Sequence, residues 1–203
     1  ALEDFVKESF YKPMGLNRIG YLPLKNFDKD EIVPTEYDTY FRNQLVHGYV
    51  HDPGAAMLGG VGGHAGVFSN AGNLAGIMQM LLNKGLYGGE RYLSKEVIEE
   101  YTACQYCEGD IEDEKRRGAG FDKPVMGDGP GPTCKCVSFD SFGHSGFTGT
   151  LAWADPQEDI VYIFLSNRVY PSAENNKLAR YDIRTNIQSE IYKVLATKPD
   201  SSS

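Results

Sequence analysis

The sequence lacks three features that would each indicate a class of protein. No apolar run approaches the about 20 residues that a membrane-spanning helix requires, and no secretory signal peptide is recognisable at the start. Positive charge is also scarce, because 20 Lys and Arg residues stand against 28 Asp and Glu residues, for a net charge of −8. That balance disfavours nucleic acids and anionic membranes as partners. We therefore expect neither a membrane span nor a nucleic-acid partner.

The chain does contain enough apolar material for a sizeable core. Its 203 residues, 41% of them hydrophobic, correspond to one ordinary domain or two small ones. Helical character starts at the first residue without a capping residue ahead of it, so we expect an artificial boundary or a processing point there. Residues 1–197 are assigned to one domain portion, and residues 198–203 to a frayed, disordered tail.

Helical periodicity marks four segments. The first, residues 2–14, should end at Pro13 and Gly15, the second should run from an N-cap at Ser69 to Gly85, and the third should begin at Ser94. The residues expected to face inward are Val97, Ile98 and Tyr101 in the third helix, and Leu178, Ile183, Ile187, Ile191 and Val194 in a long C-terminal helix. Residues 17–68 show little periodicity, which predicts an irregular segment.

Strand character begins at Arg117. Residues 117–121 predict a short glycine-rich strand, and residues 148–154 and 160–165 flank a five-residue turn, which is typical of a hairpin. Because residues 160–165 show no polar alternation, both faces of that strand are expected to be buried. The order of helices, then strands, then a helix indicates an α+β fold with an antiparallel sheet.

The segment that carries chemistry is Phe-Gly-His-Ser-Gly-Phe-Thr-Gly-Thr, residues 142–150. A basic residue, a small hydroxyl residue and a glycine on a strand followed by another strand resemble the third active-site motif of serine β-lactamases and penicillin-binding proteins. That motif is Lys-Thr-Gly, or His-Thr-Gly or His-Ser-Gly in the esterase-like branch. The resemblance implies catalytic roles for His144, Ser145 and the Phe147 amide, a donor of the oxyanion hole, and substrate-binding roles for Gly146 and Thr148.

The resemblance extends over nearly the whole chain and keeps the order of the family. Residues 1–16 resemble the helix that ends in a Pro-(Leu/Met)-Gly-(Leu/Met) turn, residues 63–69 resemble a glycine-rich turn leading into the next helix, and residues 117–121 resemble the first strand after the helical region. It implies a truncated β-lactamase/transpeptidase-like α+β fold, with a helical region followed by antiparallel strands and a C-terminal helix.

Two further motifs of the family are absent from this sequence. The nucleophilic Ser-x-x-Lys motif and the Tyr-x-Asn or Ser-x-Asn motif lie upstream of the point where the chain begins, and none of the 13 tyrosines is followed two residues later by Asn. One Ser-x-x-Lys string, Ser9 to Lys12, stands at a helix end just before Pro13. There the lysine cannot lie one protected turn beyond a buried serine, so we interpret this string as a solvated helix end.

One branch of the family is especially similar. Gly-Phe-Asp-Lys-Pro at residues 120–124, ahead of Ser-Phe-Gly-His-Ser-Gly-Phe-Thr-Gly-Thr, resembles the C-terminal halves of bacterial proteins that fuse a family 3 glycoside hydrolase to a β-lactamase-like domain. Such glycosidases are often β-N-acetylglucosaminidases. The resemblance implies a periplasmic or surface protein of a Gram-negative bacterium, concerned with cell-wall or glycan turnover.

Two functions from different classes follow. The first is part of a serine hydrolase that acts on a β-lactam, a D-Ala-D-Ala peptide or an ester and is inactive as this fragment. It would need no cofactor for catalysis, and its partners would be the missing N-terminal part of the same domain and a small acyl or peptidoglycan-derived substrate. The alternative is a non-catalytic accessory or interaction module of a family 3 glycoside hydrolase.

The four cysteines, Cys104, Cys107, Cys134 and Cys136, leave three interpretations open. Two closely spaced pairs suit a four-thiolate structural zinc site, although Cys-x-Cys is tighter than the usual spacing. One or two disulfides, or free thiols, are the other two interpretations.

The remaining histidines are expected to be structural. His47 and His51 lie four residues apart but lack the glutamate of a zinc protease motif, so they should order their loop by hydrogen bonds, with Asp52 as a turn residue. His64 lies in a glycine-rich turn and is expected to have a structural role as well, with a position on the rim of the active site as the alternative.

The apolar strand at residues 160–165 raises the question of its neighbours. In the family, one neighbour comes from the N-terminal segment that this sequence lacks. An unpaired apolar edge recruits partners, so a homodimer through that strand is expected for the isolated chain.

Overall fold

The computed structural model describes residues 1–107, 116–125 and 129–197. The expected tail, residues 198–203, lies outside the described residues, as does most of the charged run at residues 108–117. Within the described ranges, no helix is long and apolar enough to cross a membrane.

The N-terminal segment forms a helix that ends where the sequence predicted. Helix α1, Leu2–Val6, continues into a π-helical turn, Lys7–Tyr11. Gly15 has a φ of +71°, a left-handed conformation that glycine adopts readily and that ends the helix. Met14 and Leu16 on either side are buried against Met80, so the turn is anchored to the core.

Residues 17–68 are more regular than predicted. Strand β1, Ile19–Gly20, pairs with β4, Phe68–Ser69, and strands β2, Pro34–Asp38, and β3, Gln44–His47, form an antiparallel hairpin. The sequence pattern did not predict this hairpin, because Glu36 and Asp38 occupy inward positions of β2 and are buried. Polar residues at inward positions remove the apolar alternation that indicates a strand.

The middle of the chain contains three α-helices. They are α2, Pro53–Met57; α3, Ala71–Leu82; and α4, Lys95–Thr102. Asn70, not Ser69, is the N-cap of α3, since its side chain accepts a hydrogen bond from the Asn73 amide at 2.9 Å. A small hairpin of β5, Leu86–Tyr87, and β6, Glu90–Arg91, joins α3 to α4.

Helix α4 faces the core with fewer residues than predicted. Ser94 is its N-cap as expected, and Ile98 is buried. Val97 and Tyr101 are exposed, however, so their inward assignment was wrong. The predicted strand at residues 117–121 was also wrong: Arg117 forms single bridges to Tyr106 and Asp122, because the glycine-rich segment curves back on itself.

The main sheet is antiparallel and holds the chemically interesting segment. Its three strands are β7, Phe142–Ser145; β8, Leu151–Asp155; and β9, Ile160–Phe164, in the order β7-β8-β9. Phe142 and Ala154 pack on Met78 and Leu82 of α3, so one face of the sheet lies against that helix. The predicted hairpin of β8 and β9 is confirmed.

The C-terminal segment divides into α5, Lys177–Arg180, and α6, Ile183–Ala196. The inward stripe was predicted correctly only in part. Ile191 packs against the cluster of Leu151, Trp153 and Tyr162 and Leu178 is half-buried, but Ile183, Ile187 and Val194 are exposed, whereas Gln188 and Tyr192 are buried. The reason is polar anchoring: Tyr192 donates a hydrogen bond to Asp155 at 2.6 Å, and Gln188 accepts one from the Cys134 amide at 3.0 Å. These bonds fix the rotation of α6, which the apolar pattern alone did not define.

Strand β9 is an edge strand in the part of the chain that the structure describes. It pairs with β8 alone, from Asp155↔Ile160 to Leu151↔Phe164. Tyr162 is buried, while its neighbours on the strand are half-buried, less than the expected burial on both faces.

Candidate functional site

The motif lies where β7 turns into β8. His144 and Ser145 are the last two residues of β7 and face Ala152 and Leu151 of β8. The strand then passes through a tight turn, residues 146–149, in which the Gly149 amide donates to the Gly146 carbonyl at 2.9 Å. The structure therefore brings together all five residues that the sequence assigned to the site.

Both glycines of this turn are required by its geometry. A Cβ atom on Gly146 would collide with the Thr150 hydroxyl, and Gly149 has a φ of +103°. A side chain at either position would open the turn. The Gly146 amide also donates to the Thr150 carbonyl at 2.8 Å, which closes the base of the turn.

The Phe147 amide takes no part in the hydrogen bonds of the turn. Phe147 occupies the second position of the turn, and its N–H donates no hydrogen bond within the described part of the chain. The side chain is 62% exposed. An amide that is free within the described residues and lies next to a hydroxyl and an imidazole in the chain can donate to a carbonyl oxygen of a bound acyl group.

His144 projects from the strand beside a carboxylate that the sequence did not indicate. Its imidazole is half-exposed, with Nδ1 2.8 Å from the Ser145 carbonyl oxygen and 4.0 Å from Asp122 Oδ2. Asp122 also forms an ion pair with Arg117, and its backbone exchanges two hydrogen bonds with Gly143. Asp122 thus lies close to the imidazole, while its carboxylate is already paired with Arg117.

His51 is a second residue at the site that sequence reasoning placed elsewhere. Its ring centroid lies 5.0 Å from that of Phe147, with 32° between the planes. Its Nε2 atom lies 3.2 Å from Glu36 Oε2, within ion-pair distance although not aligned as a hydrogen bond. The segment after β3 therefore reaches the motif through His51, with Glu36 of β2 beside it, a contact that no spacing in the sequence shows.

The other histidines and Asp52 have the structural roles expected of them. Asp52 caps α2 by accepting a hydrogen bond from the Ala55 amide at 2.7 Å, and it lies 3.0 Å from His64 Nε2. These hydrogen bonds hold the pKa of Asp52 below its usual range, with the Ala55 amide as the largest contribution. His47 Nε2 lies within hydrogen-bond distance of the Ile32 carbonyl.

A buried lysine lies close behind the motif. Lys123 is 4% exposed and donates to the carbonyls of Thr102 at 3.0 Å and Asp140 at 2.8 Å. Burial lowers its pKa to about 8. Its ammonium points into backbone carbonyls rather than toward the motif, so we assign it a structural role.

The cysteines form two separate pairs. Cys104 is bonded to Cys107 and Cys134 to Cys136. In residues 1–107, 116–125 and 129–197, no group of three or more His, Cys, Asp or Glu residues is gathered as a metal site. The pairs therefore match the disulfide interpretation, and the zinc interpretation stays a hypothesis.

The Ser9 to Lys12 string lies on the surface at the end of the N-terminal helix. Lys12 is exposed and forms an ion pair with Glu8 at 3.2 Å. Its ammonium is thus held by a surface carboxylate, as expected for a solvated helix end and not for a catalytic pair.

With this fold and this motif, the chain belongs to the beta-lactamase family. The family model described as Beta-lactamase matches residues 1–186. The predicted family and the α+β fold class are both confirmed.

The most informative relatives in sequence are enterobacterial. A protein of Escherichia coli K12 provisionally named D-alanyl-D-alanine carboxypeptidase is 34% identical over 191 residues, and a Salmonella newport protein of the same name is 31% identical over 195. Each match covers 87% of this chain and 42% of the relative. The chain thus spans less than half the length of these relatives.

Solved structures support the fold. A beta-lactamase from Mycobacterium bovis gives a TM-score of 0.52 at 19% identity, covering 88% of this chain and 56% of that one. A simvastatin synthase from Aspergillus terreus gives a TM-score of 0.63 at 15% identity, covering 97% of this chain and 51% of that one. At such identities the likeness concerns the fold alone.

Proposed function

We propose that the chain is the C-terminal part of a serine hydrolase that acts on a β-lactam, a D-Ala-D-Ala peptide or an ester. The observation that carries this proposal is the unpaired Phe147 amide, which lies in a tight turn directly after His144 and Ser145. The D-alanyl-D-alanine carboxypeptidase name of the relatives favours a peptide substrate.

The roles of the residues follow from their groups. A serine supplied by the absent upstream part attacks the acyl carbonyl, and the lysine and tyrosine of that part move protons. The Phe147 N–H donates to the carbonyl oxygen as negative charge develops on it. His144 and Ser145 flank the acyl group and donate hydrogen bonds to its polar atoms.

Location and context are part of the proposal. We place the parent protein in the periplasm or at the cell surface of a Gram-negative bacterium, in cell-wall or glycan turnover, fused to a family 3 glycoside hydrolase. The support is the resemblance of residues 120–124 and 141–150 to such fusions. The second candidate is a non-catalytic module of the glycosidase. An upstream part of the parent protein without Ser-x-x-Lys and Tyr-x-Asn would favour it, and an upstream part with both motifs would favour the hydrolase.

The test compares this chain with the parent protein extended upstream to the length of its relatives. A fluorophosphonate probe should label the parent once and leave the isolated chain unlabelled. The isolated chain should also hydrolyse neither nitrocefin nor p-nitrophenyl acetate above buffer, because removing the nucleophile costs several orders of magnitude in rate. Labelling of the isolated chain would show that the nucleophile lies within it, and an unlabelled parent would favour the accessory module.

Two further proposals concern the isolated chain. We propose two disulfides, with a structural zinc as the alternative. Ellman titration of denatured protein should find no free thiol, and about one zinc per chain with four thiols would overturn this.

We also propose a homodimer in which β9 pairs across a two-fold axis. Light scattering over a concentration series tests it, and a monomer at tens of micromolar would contradict it.

A further inference from the structure

The peptide groups around the unpaired amide are each held at their carbonyl oxygens. The Gly146 carbonyl, which shares a peptide plane with the Phe147 N–H, accepts from the Gly149 amide at 2.9 Å. The next carbonyl, that of Phe147, accepts from Arg168 Nε at 2.9 Å. The carbonyl of Thr148 accepts from the Arg168 backbone amide at 3.0 Å. One arginine thus holds two of three successive peptide planes.

Arg168 is itself fixed in place. Its Nη1 atom donates to the carbonyls of Ala173 and Asn175, each at 2.9 Å. Its guanidinium carbon lies 4.5 Å from the centre of the Phe147 ring. The guanidinium therefore connects the loop after β9 to both the backbone and the side chain of Phe147, a combination that the planar, multi-donor geometry of arginine allows and that of lysine does not.

The Phe147 ring has a second neighbour. The imidazole of His51 lies 5.0 Å from the ring, and His51 is only 18% exposed beside the carboxylate of Glu36. Arg168 and His51 come from different parts of the chain and contact the same exposed ring. An exposed phenylalanine held on the protein by two such contacts keeps its backbone in one orientation.

We infer that Arg168 is a positioning residue that pre-organises the Phe147 amide as an oxyanion donor, with His51 packing against the ring that Arg168 contacts. The inference rests on the proposed serine hydrolase function. A donor stabilises the developing charge only while its N–H points at the oxyanion, and a donor held in advance needs no reorganisation during the reaction. Rotation of the 146–148 peptides would turn this N–H away.

The experiment uses the parent protein and three substitutions: Arg168→Met, Arg168→Lys and the control Arg180→Met. Arg180 has a similar contact, with its guanidinium 5.7 Å from the Tyr181 ring, but within the described residues its side chain donates no hydrogen bond to residues 146–149. We expect Arg168→Met to lower kcat for p-nitrophenyl acetate about 10-fold to 100-fold with KM within about twofold, less than the full loss of an oxyanion donor. Arg168→Lys should recover little, and Arg180→Met should behave as wild type.

Affinity for a boronic acid, which forms a tetrahedral adduct on the serine, separates positioning from general damage. It should fall by the same factor as kcat/KM in both Arg168 variants, while fluorophosphonate still labels the protein and its melting temperature stays close to that of wild type. Unchanged kcat and boronate affinity in Arg168→Lys and Arg168→Met would overturn the inference.

Failure of the proposed function and failure of the Arg168 inference give different results. A wild-type parent that is neither labelled nor active would defeat the proposed function itself. If Arg168→Met does not fold, Arg168→Lys keeps the charge at that position, and full kcat in that variant would overturn the inference.

Discussion

The two ends of strand β8 differ in the hydrogen bonding of their polar groups. At the Leu151 end, the Phe147 amide has no hydrogen-bond partner among the residues that the structure describes, and the imidazole of His144 is half-exposed. At the other end, the Asp155 carboxylate is fully buried and accepts hydrogen bonds from the Ser138 amide and hydroxyl, the Gln157 amide and the Tyr192 hydroxyl. The Leu151 end thus carries the candidate site, whereas at the other end four hydrogen bonds converge on one buried carboxylate and join three segments.

This contrast separates function from stability within one five-residue strand. Asp155 joins the sheet to helix α6 through Tyr192 and to the segment before β7 through Ser138. Because these bonds are buried and involve a charge, each should contribute more than an exposed bond.

The largest expected effect is that of Asp155→Ala. It leaves the buried donors of Ser138, Gln157 and Tyr192 without an acceptor, and we expect the free energy of unfolding to fall by about 3 kcal/mol. Urea denaturation of this chain measures it. Glu158→Ala, at an exposed position in the same turn, is the control and should change stability by less than about 0.5 kcal/mol. If Asp155→Ala lowers the free energy of unfolding no more than Glu158→Ala, the Asp155 end of β8 is not the stabilising end.

Tyr192→Phe should have the next largest effect. The ring stays buried and only the hydroxyl that donates to Asp155 is lost, so we expect a loss of about 1.5 kcal/mol. Tyr106→Phe, where the side chain is 70% exposed, is the matched control. A Tyr192→Phe variant as stable as wild type would mean that α6 is held by its apolar contacts alone.

Acid should weaken the Asp155 end selectively. Burial by itself raises the pKa of Asp155, but the hydrogen bonds from Ser138, Tyr192 and Gln157 outweigh it and hold that pKa below its usual range. A carboxyl with a lowered folded-state pKa contributes stability above its unfolded pKa of about 4 and loses it as pH falls through the folded value. The stability difference between wild type and Asp155→Ala should therefore shrink from pH 7 to pH 3. A difference that is constant over this range would contradict the assignment.

The smallest effect is expected at the site end. His144→Ala removes a half-exposed side chain whose Nδ1 atom contacts the neighbouring Ser145 carbonyl. We expect the free energy of unfolding to change by less than about 0.5 kcal/mol, although activity of the parent protein should fall. Urea denaturation of the chain and hydrolysis by the parent measure the two effects. A loss above about 2 kcal/mol would show that His144 is structural and would break the comparison.

Periodicity was a sound guide where apolar side chains decide the packing. The first helix, helix α4 with its Ser94 cap, and the β8–β9 hairpin were predicted from it. It failed where polar groups decide the packing. Strand β2 carries buried Glu36 and Asp38, and α6 buries Gln188 and Tyr192 while Ile183 and Ile187 are exposed. Asp38 shows why, since its buried carboxylate accepts bonds from the Tyr40, Phe41 and Arg42 amides that exist only once the turn has formed.

The family and the fold class could be predicted from the sequence, because a short motif and the order of the elements are local properties of the chain. The catalytic and binding roles of the five motif residues stay a prediction. Only the tertiary structure brought Asp122 to His144, and His51 and Arg168 to Phe147. The positions in each of these pairs are separated by 21 residues or more in the numbering, and no periodicity or spacing encodes such a contact. Packing decides which polar groups meet across the fold. Most buried donors pair with an acceptor that the folded chain brings within reach.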